Sequence, residues 1–232
     1  MLRRLGATTQ RPSAAPLAVE ARLNLLPPGS LATIGAVIDV GANQGRWSQA
    51  VLALTDPVRL IAIEPSPLVL PHLRSALARH HNAVVVAAAV GETAGETNFN
   101  ITAHSHSASV LLPRTGEMDQ LYGYGYEVVE QLTVPMTTLD EVTADLAEVS
   151  LLKIDVQGFE ASVLAGAAKT LAKTRWLLIE VNFRSHYRGD LLFPDLHGLL
   201  AGVGFQLAGM SAPLVQRGVA MWADALYERS EG

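Results

Sequence analysis

The sequence contains no cysteine. That removes a disulfide framework and any thiolate metal site, and it is compatible with a reducing compartment, the cytoplasm by default. A membrane-spanning stretch is absent too, since the longest apolar run, residues 83–90, falls far short of the roughly 18 residues that cross a bilayer. With a net charge of −5 the chain lacks the basic footprint of a nucleic-acid binder. It has no internal repeat, no low-complexity tract and no histidine pair at helical metal-ligand spacing. Charged residues make up only 17% against 49% hydrophobic, a balance that argues against disorder and for a well-buried core. The 232 residues fit one domain. Residues 1–18 carry arginine, serine and threonine without an acid; lacking the apolar core of a secretory signal, they read as a loosely ordered leader.

One further absence narrows the cofactor. Val37-Ile38-Asp39-Val40-Gly41-Ala42-Asn43-Gln44-Gly45-Arg46-Trp47-Ser48 reads as a buried parallel strand, a glycine turn and the start of a helix, which is a place for a nucleotide-like ligand. A dinucleotide fingerprint needs Gly-x-Gly-x-x-Gly, but Asn43 and Arg46 stand at its second and third glycine positions. A side chain at 43 sits where a diphosphate should lie. The next strand, Arg59-Leu60-Ile61-Ala62-Ile63, ends on Glu64, and an acid there takes ribose hydroxyls. A ribose acid beside a loop without diphosphate geometry points to S-adenosylmethionine.

Five pieces in order carry a family resemblance: Asp-Val-Gly-Ala-Asn-x-Gly at 39–45, Glu64-Pro65, Ala89-Val90-Gly91, Leu139-Asp140-Glu141, and Leu152-Lys153-Ile154-Asp155-Val156-Gln157-Gly158-Phe159-Glu160. Together, over residues 36–207, they resemble the FkbM family of S-adenosylmethionine-dependent methyltransferases. The resemblance implies a class I methyltransferase (Rossmann-like) fold. It further implies O-methylation of a hydroxyl on a sugar, glycoside or natural product, with Asp39 beside the loop that takes the methionine end and a role for Ser107 in a loop that folds over the cofactor.

The pattern along the chain agrees with an α/β fold. After a leader and short helix over residues 1–35, apolar strands alternate with amphipathic helices through residues 36–232. Strands are expected at 37–40, 59–63, 83–89, 151–156 and 176–181, and helices at 47–54, 67–80, 138–146, 159–173 and 195–203. The helix at 67–80 turns Leu68, Val69, Leu73 and Leu77 to one face; the one at 138–146 opens on a Thr138–Glu141 capping box. Stretches 97–102 and 128–135 break the alternation as an inserted hairpin at the sheet's edge, and 205–210 with 219–227 form a closing antiparallel hairpin. The whole is a mostly parallel seven-stranded sheet with helices on both faces.

Ligands of such sheets bind outside the carboxyl ends of the strands. Asp39, Gly41, Asn43, Gly45, Glu64, Ala89 and Val90 are therefore the cofactor candidates. Asp155 ends an otherwise apolar strand, so its charge must be paired, hydrated or in use; it is a candidate for the proton-accepting or cation-holding group, or else a cap for the next helix. Glu160 reads as a helix N-terminal acid. His186, beyond the strand at 176–181, is a second candidate base. No strong metal motif appears, although an oxygen-ligand cation at Asp155 and Glu180 would leave little trace in sequence. Tyr122, Tyr124 and Tyr126 suit stacking on a sugar or aromatic acceptor, or a surface loop. Two other functions fit the same fold: a nucleotide-dependent oxidoreductase or sugar-modifying enzyme, and a cofactor-binding module without turnover.

Overall fold

The computed structural model describes residues 22–103, 107–122 and 126–230. Its central sheet holds β1 (Ala36–Val40), β2 (Arg59–Ile63), β3 (Ala83–Val86), β7 (Val149–Ile154), β8 (Thr174–Asn182), β9 (Phe205–Met210), β10 (Leu214–Gln216) and β11 (Val219–Arg229). The order is β10-β11-β8-β7-β1-β2-β3, with β9 also on β11. From β3 to β8 all neighbours are parallel, whereas β11 runs antiparallel to β8, β9 and β10. The sheet is thus seven positions wide, as the sequence pattern predicts, and the outer edge of the long β11 is shared by β9 and the short β10. Parallel strands of this kind are buried on both faces, which explains their unbroken Val, Ile and Leu content.

Alternate residues feed two cores. Ile38, Val40, Leu152, Ile154, Leu177 and Ile179 face the helices of the second half: α4 (Leu139–Val142), α5 (Glu160–Ala165), α6 (Ala168–Ala172) and α7 (Phe193–Gly202). Val37, Leu60, Leu151, Trp176 and Leu226 face α1 (Arg46–Leu54) and α2 (Leu70–Leu77), where Leu23, Leu26 and Ile34 pack from the segment ahead of β1. On α2 the buried residues are Leu70, Leu73 and Leu77 with Val69 just before it; Leu68 is exposed, because the helix begins two residues after it.

Two expected elements are divided. The apolar run expected as one strand over 83–89 splits into β3 and β4 (Ala89–Val90). Pro65 stops β2, the Glu64 N–H closes on Val86 O, and Ala89–Val90 then pair with β6 (Val128–Thr137) in a second sheet of order β4-β6-β5, where β5 is Gly95–Thr102. The inserted hairpin is therefore β5 and β6, antiparallel over most of their length, with Phe99, Ile101 and Val134 as its core. The helix expected over 159–173 breaks between α5 and α6. At Gly166 the backbone meets Gly91, whose carbonyl oxygen would lie 2.0 Å from any Cβ placed there. The Thr138–Glu141 capping box forms, with Glu141 N–H donating to Thr138 Oγ1 at 3.1 Å. Between β5 and β6 lies α3 (Thr115–Tyr122). No described helix is long and apolar enough to cross a membrane.

Candidate active site

The glycine turn after β1 is held from three sides. Gly41 has φ 76°, and a Cβ on it would stand 1.9 Å from Asp155 O, so the turn can approach β7 only without a side chain. Asn43 adopts the left-handed conformation that its short polar side chain tolerates, with Oδ1 accepting the Gln44 N–H at 2.8 Å. Gly45 caps α1 without any side-chain hydrogen bond, leaving main-chain N–H groups at that helix end for an anionic ligand group.

Glu64 is 5% exposed, so it is not a solvated strand end. Its two oxygens accept N–H bonds from Asn43 at 2.8 Å and Ser66 at 2.9 Å. Burial raises its pKa, and the two N–H bonds offset part of that rise. A carboxylate has about four lone-pair positions, so two remain for vicinal hydroxyls. Asp39 is fully buried and braces the turn, accepting from Ser48 Oγ in α1 at 2.6 Å and from Lys153 Nζ in β7 at 2.9 Å. Lys153 also donates to Gly41 O at 3.3 Å. Burial works against its charge, but Asp39 and Asp155 more than reverse that and raise its pKa.

Asp155, just after β7, shares the Asp39 face with Glu180 of β8 and Asp224 in the middle of β11; Glu180 is directly opposite Asp224. Into them reaches Arg22, whose guanidinium lies 2.9 Å from Asp155 Oδ2 and 3.0 Å from Asp224 Oδ2. Asp155 also accepts from Gln157 Nε2 at 2.8 Å and lies 3.8 Å from Lys153 Nζ. Desolvation would raise its pKa, yet Lys153 and Arg22 outweigh it and hold the carboxyl down at about 2. Glu180, desolvated beside Asp155, Glu160 and Asp224, is pushed well above the carboxylate range. Asp155 does not cap the following helix. That helix has no side-chain cap, and Glu160 at its start instead accepts the Val156 and Gly158 N–H groups of the preceding loop at 3.2 and 3.1 Å, while burial lifts its pKa to about 7. Among the described residues no group of three His, Cys, Asp or Glu is placed to hold a metal.

On the other side of Asp155, Gln157 Oε1 accepts from the Tyr187 hydroxyl at 3.2 Å, and Ser107 O lies 3.0 Å from the same hydroxyl. Ser109 Oγ donates to Gln157 O at 2.7 Å, so Ser107 and Ser109 are both tied to the segment that follows β7 and its neighbour Tyr187. His186 is 3% exposed. Its Nε2 is 2.7 Å from the Tyr122 hydroxyl, while Nδ1 has no well-aligned partner among the described residues, its main-chain pull coming from Arg184. Burial lowers its pKa, leaving a neutral ring at pH 7. Tyr122, Tyr126 and Tyr187 pack with Met118 beside it. His104, Ser105, His106 and Tyr124 lie outside the described residues.

The structure thus gathers Asp39, Gly41, Asn43, Gly45 and Glu64, and joins them through Lys153 to Asp155. His186 stands beyond Tyr187 in the same chain of contacts. Ala89 and Val90 are paired instead with Met136 and Thr137 in the second sheet. Sequence reasoning missed Lys153 and Arg22 as site residues and offered Tyr122 for stacking, not for its contact with His186. Lys153 had a signal, a lone charge inside Leu-Leu-Lys-Ile on the same strand face as Asp155; Arg22 had none.

A family model described as the methyltransferase FkbM domain matches residues 39–207. The chain belongs to the FkbM methyltransferase family. S-adenosylmethionine is the cofactor of these methyltransferases, and the Glu64 carboxylate with the open α1 terminus fits its ribose and its carboxylate. The chain is 26% identical over 165 residues to the 2-O-methyltransferase NoeI of Sinorhizobium fredii (strain NBRC 101917 / NGR234), covering 67% of this chain and 66% of that one. A methyltransferase FkbM from Methylobacillus flagellatus KT aligns with TM-score 0.54 and 19% identity over 89% of this chain and 50% of its own. Sp1610 of Streptococcus pneumoniae, whose name points to tRNA (m1A22) methylation, was solved with S-adenosyl-L-methionine. It aligns with TM-score 0.55 and 14% identity over 92% and 72%. The chain therefore spans about two thirds and one half of its FkbM-type relatives. The likeness to the solved structures concerns the class I fold.

Proposed function

We propose that this chain transfers a methyl group from S-adenosylmethionine to a hydroxyl of a sugar, glycoside or natural-product acceptor. The observation that carries the reading is a buried His186 whose Nε2 lies 2.7 Å from the hydroxyl of a half-buried Tyr122, in the segment that follows β8. Glu64 would hold the ribose, and the turn from Gly41 to Gly45 the amino-acid end. When bound, the cofactor supplies a sulfonium methyl carbon, to which the acceptor oxygen bonds as the carbon–sulfur bond breaks. The chain's own task is to orient the hydroxyl and remove its proton. Tyr122 takes that proton while passing its own to His186 Nε2, so the charge ends on the imidazole. Asp155, ionised and engaged by Arg22, is a poor proton acceptor and acts by positioning Gln157 and Tyr187. The NoeI relative, a 2-O-methyltransferase, supports an oxygen acceptor.

Turnover of labelled S-adenosylmethionine against sugar nucleotides, glycosides, polyketides and a tRNA transcript tests this. Transfer to a hydroxylated small molecule is expected, and S-adenosylmethionine should raise the melting temperature where NAD does not. Transfer to the transcript alone would overturn the acceptor class. A melting shift without transfer to any acceptor would leave a binding module, and a shift with NAD alone would return the oxidoreductase reading. Glu64→Gln, which keeps the size but loses the charge, should weaken cofactor binding about 10- to 100-fold in calorimetry, the scale of one or two charge-assisted hydrogen bonds. Unchanged affinity would confine Glu64 to bracing Asn43 and Ser66.

A further inference from the structure

Between α3 and the start of β11 lies a cleft of about 270 Å³ lined by Met118, Leu121, Arg184, Ser185 and Val219. Two of its walls continue directly into the proposed proton relay: Leu121 precedes Tyr122, and Ser185 precedes His186. Its surface is largely apolar apart from Arg184 and Ser185. Ser185 is already engaged, its hydroxyl lying within bonding distance of Asp190 and Tyr187 O. Arg184 is exposed and makes no ion pair among the described residues. The nearby Asp190 does not draw on it, since its oxygens accept from Ser185 and from the His186 and Tyr187 N–H groups.

The adjoining backbone carries two further arginines in a chain that is acidic overall. Segment 112–114 pairs antiparallel with 186–188, with Pro113 opposite Tyr187, Arg114 N–H on His186 O at 2.9 Å and Arg188 N–H on Leu112 O at 2.8 Å. Residues two apart share a face of such a ladder, so Arg114 and Arg188 flank His186 on one side while Pro113 and Tyr187 are buried on the other. An arginine at the lip of an apolar cleft matches a planar anionic oxygen pair, because its fork donates two parallel N–H bonds and it is weakly hydrated.

Resting on the methyltransferase reading, we propose that this cleft is the acceptor subsite and that the acceptor is an anionic sugar. Its carboxylate or phosphate oxygens lie on Arg184, and the apolar face of its ring lies on Met118, Leu121 and Val219. The cleft's volume suits one sugar unit rather than a polymer surface.

The test reads binding without turnover. The full chain, saturated with S-adenosylhomocysteine, is titrated by calorimetry with methyl glucoside, methyl glucuronide and glucose 6-phosphate, with inorganic phosphate as a further arm. At least one anionic sugar should bind about tenfold or more tightly than methyl glucoside. The preferred arm identifies carboxylate or phosphate, and inorganic phosphate alone should bind weakly. Arg184→Gln should erase the preference while leaving methyl glucoside unchanged, and Arg184→Lys should restore part of it. Equal binding of neutral and anionic sugars overturns the proposal, as does a preference that survives Arg184→Gln. Tighter binding of a tRNA transcript that depends on Arg184 would overturn it in favour of a nucleic-acid surface. Melting shifts with S-adenosylhomocysteine report on the cofactor reading separately: no shift together with an Arg184-dependent anionic preference would refute the methyltransferase while leaving the anion subsite standing.

Discussion

Replacing His186 by glutamine should slow methyl transfer by about 10²- to 10⁴-fold, the usual contribution of a positioned proton acceptor, with cofactor affinity nearly unchanged. Glutamine can keep a hydrogen bond to Tyr122 but cannot take up a proton, so the loss isolates the proton step. Tyr122→Phe should fall in the same range, and the double variant should be little worse than either single one, because the two groups act as a unit. The pH profile separates this relay from catalysis by Asp155. Since burial holds His186 below its ordinary value of 6.5, the rate should be flat through neutrality and fall only on the acid side, once the imidazole is protonated. A base held at about 2 would give no fall above pH 4. Single-turnover rates for His186→Gln within threefold of the parent would remove the relay. If Asp155→Asn alone then lost 10²-fold, the proton would have to be assigned to Asp155 despite its low basicity.

What the sequence made legible was local. Each strand of the parallel core announces itself by a run of β-branched and aliphatic residues. The capping box at Thr138 needs only residues three apart, and the acid that ends β2 follows directly from Pro65 stopping the strand. What stayed hidden depends on contacts between distant residues. Nothing near residues 87–88 marks the passage from one sheet to another, because alanine suits both, and the partner that draws Ala89 and Val90 away is β6, some forty residues on. Gly166 reads as an unremarkable helix glycine until Gly91 is seen against it. Leu68 counts with the apolar face of Val69, Leu73 and Leu77 in the sequence yet precedes the first helical turn. The site divides in the same way. Asp39, the glycine turn and Glu64 lie within one βαβ unit and could be read together. The Tyr122–His186 pair and the Arg22 bridge join residues far apart in sequence, and only the folded chain brings them into contact.

Lys153→Met should cost about 3 to 5 kcal/mol, because it strands a partner's charge in a place that water does not reach. For a chain of this size, that is a fall in melting temperature on the order of 10 °C. Lys153 is 3% exposed and Asp39 fully buried, so the pair forms in a setting where neither ion can recover its hydration. Methionine preserves the length and apolar character of the stem, which confines the change to the charge. Asp39 would then retain only the Ser48 hydroxyl, and the turn that Lys153 anchors through Gly41 O would lose a tether. A double variant, Lys153→Met with Asp39→Asn, should recover much of the loss, since the stranded charge is gone while the bond to Ser48 can persist. The pH dependence gives an independent sign. In the parent, Asp155 is held down at about 2, so its contribution is present above its unfolded value near 3.8 and is lost as pH falls through 4 toward 2. The Lys153 contribution, from a raised pKa, is complete below about 10.4 and is lost only as pH rises through its folded value. Between pH 7 and 5 the parent gains nothing from either group. In Lys153→Met the Lys153 contribution is gone, so the variant should lack the loss of stability that the parent shows as pH rises through the folded value of Lys153. A variant that melts within about 2 °C of the parent and shows the parent's pH profile would mean that the Lys153–Asp39 pair contributes no net stability, and that the turn is held by Ser48 and Glu64 instead.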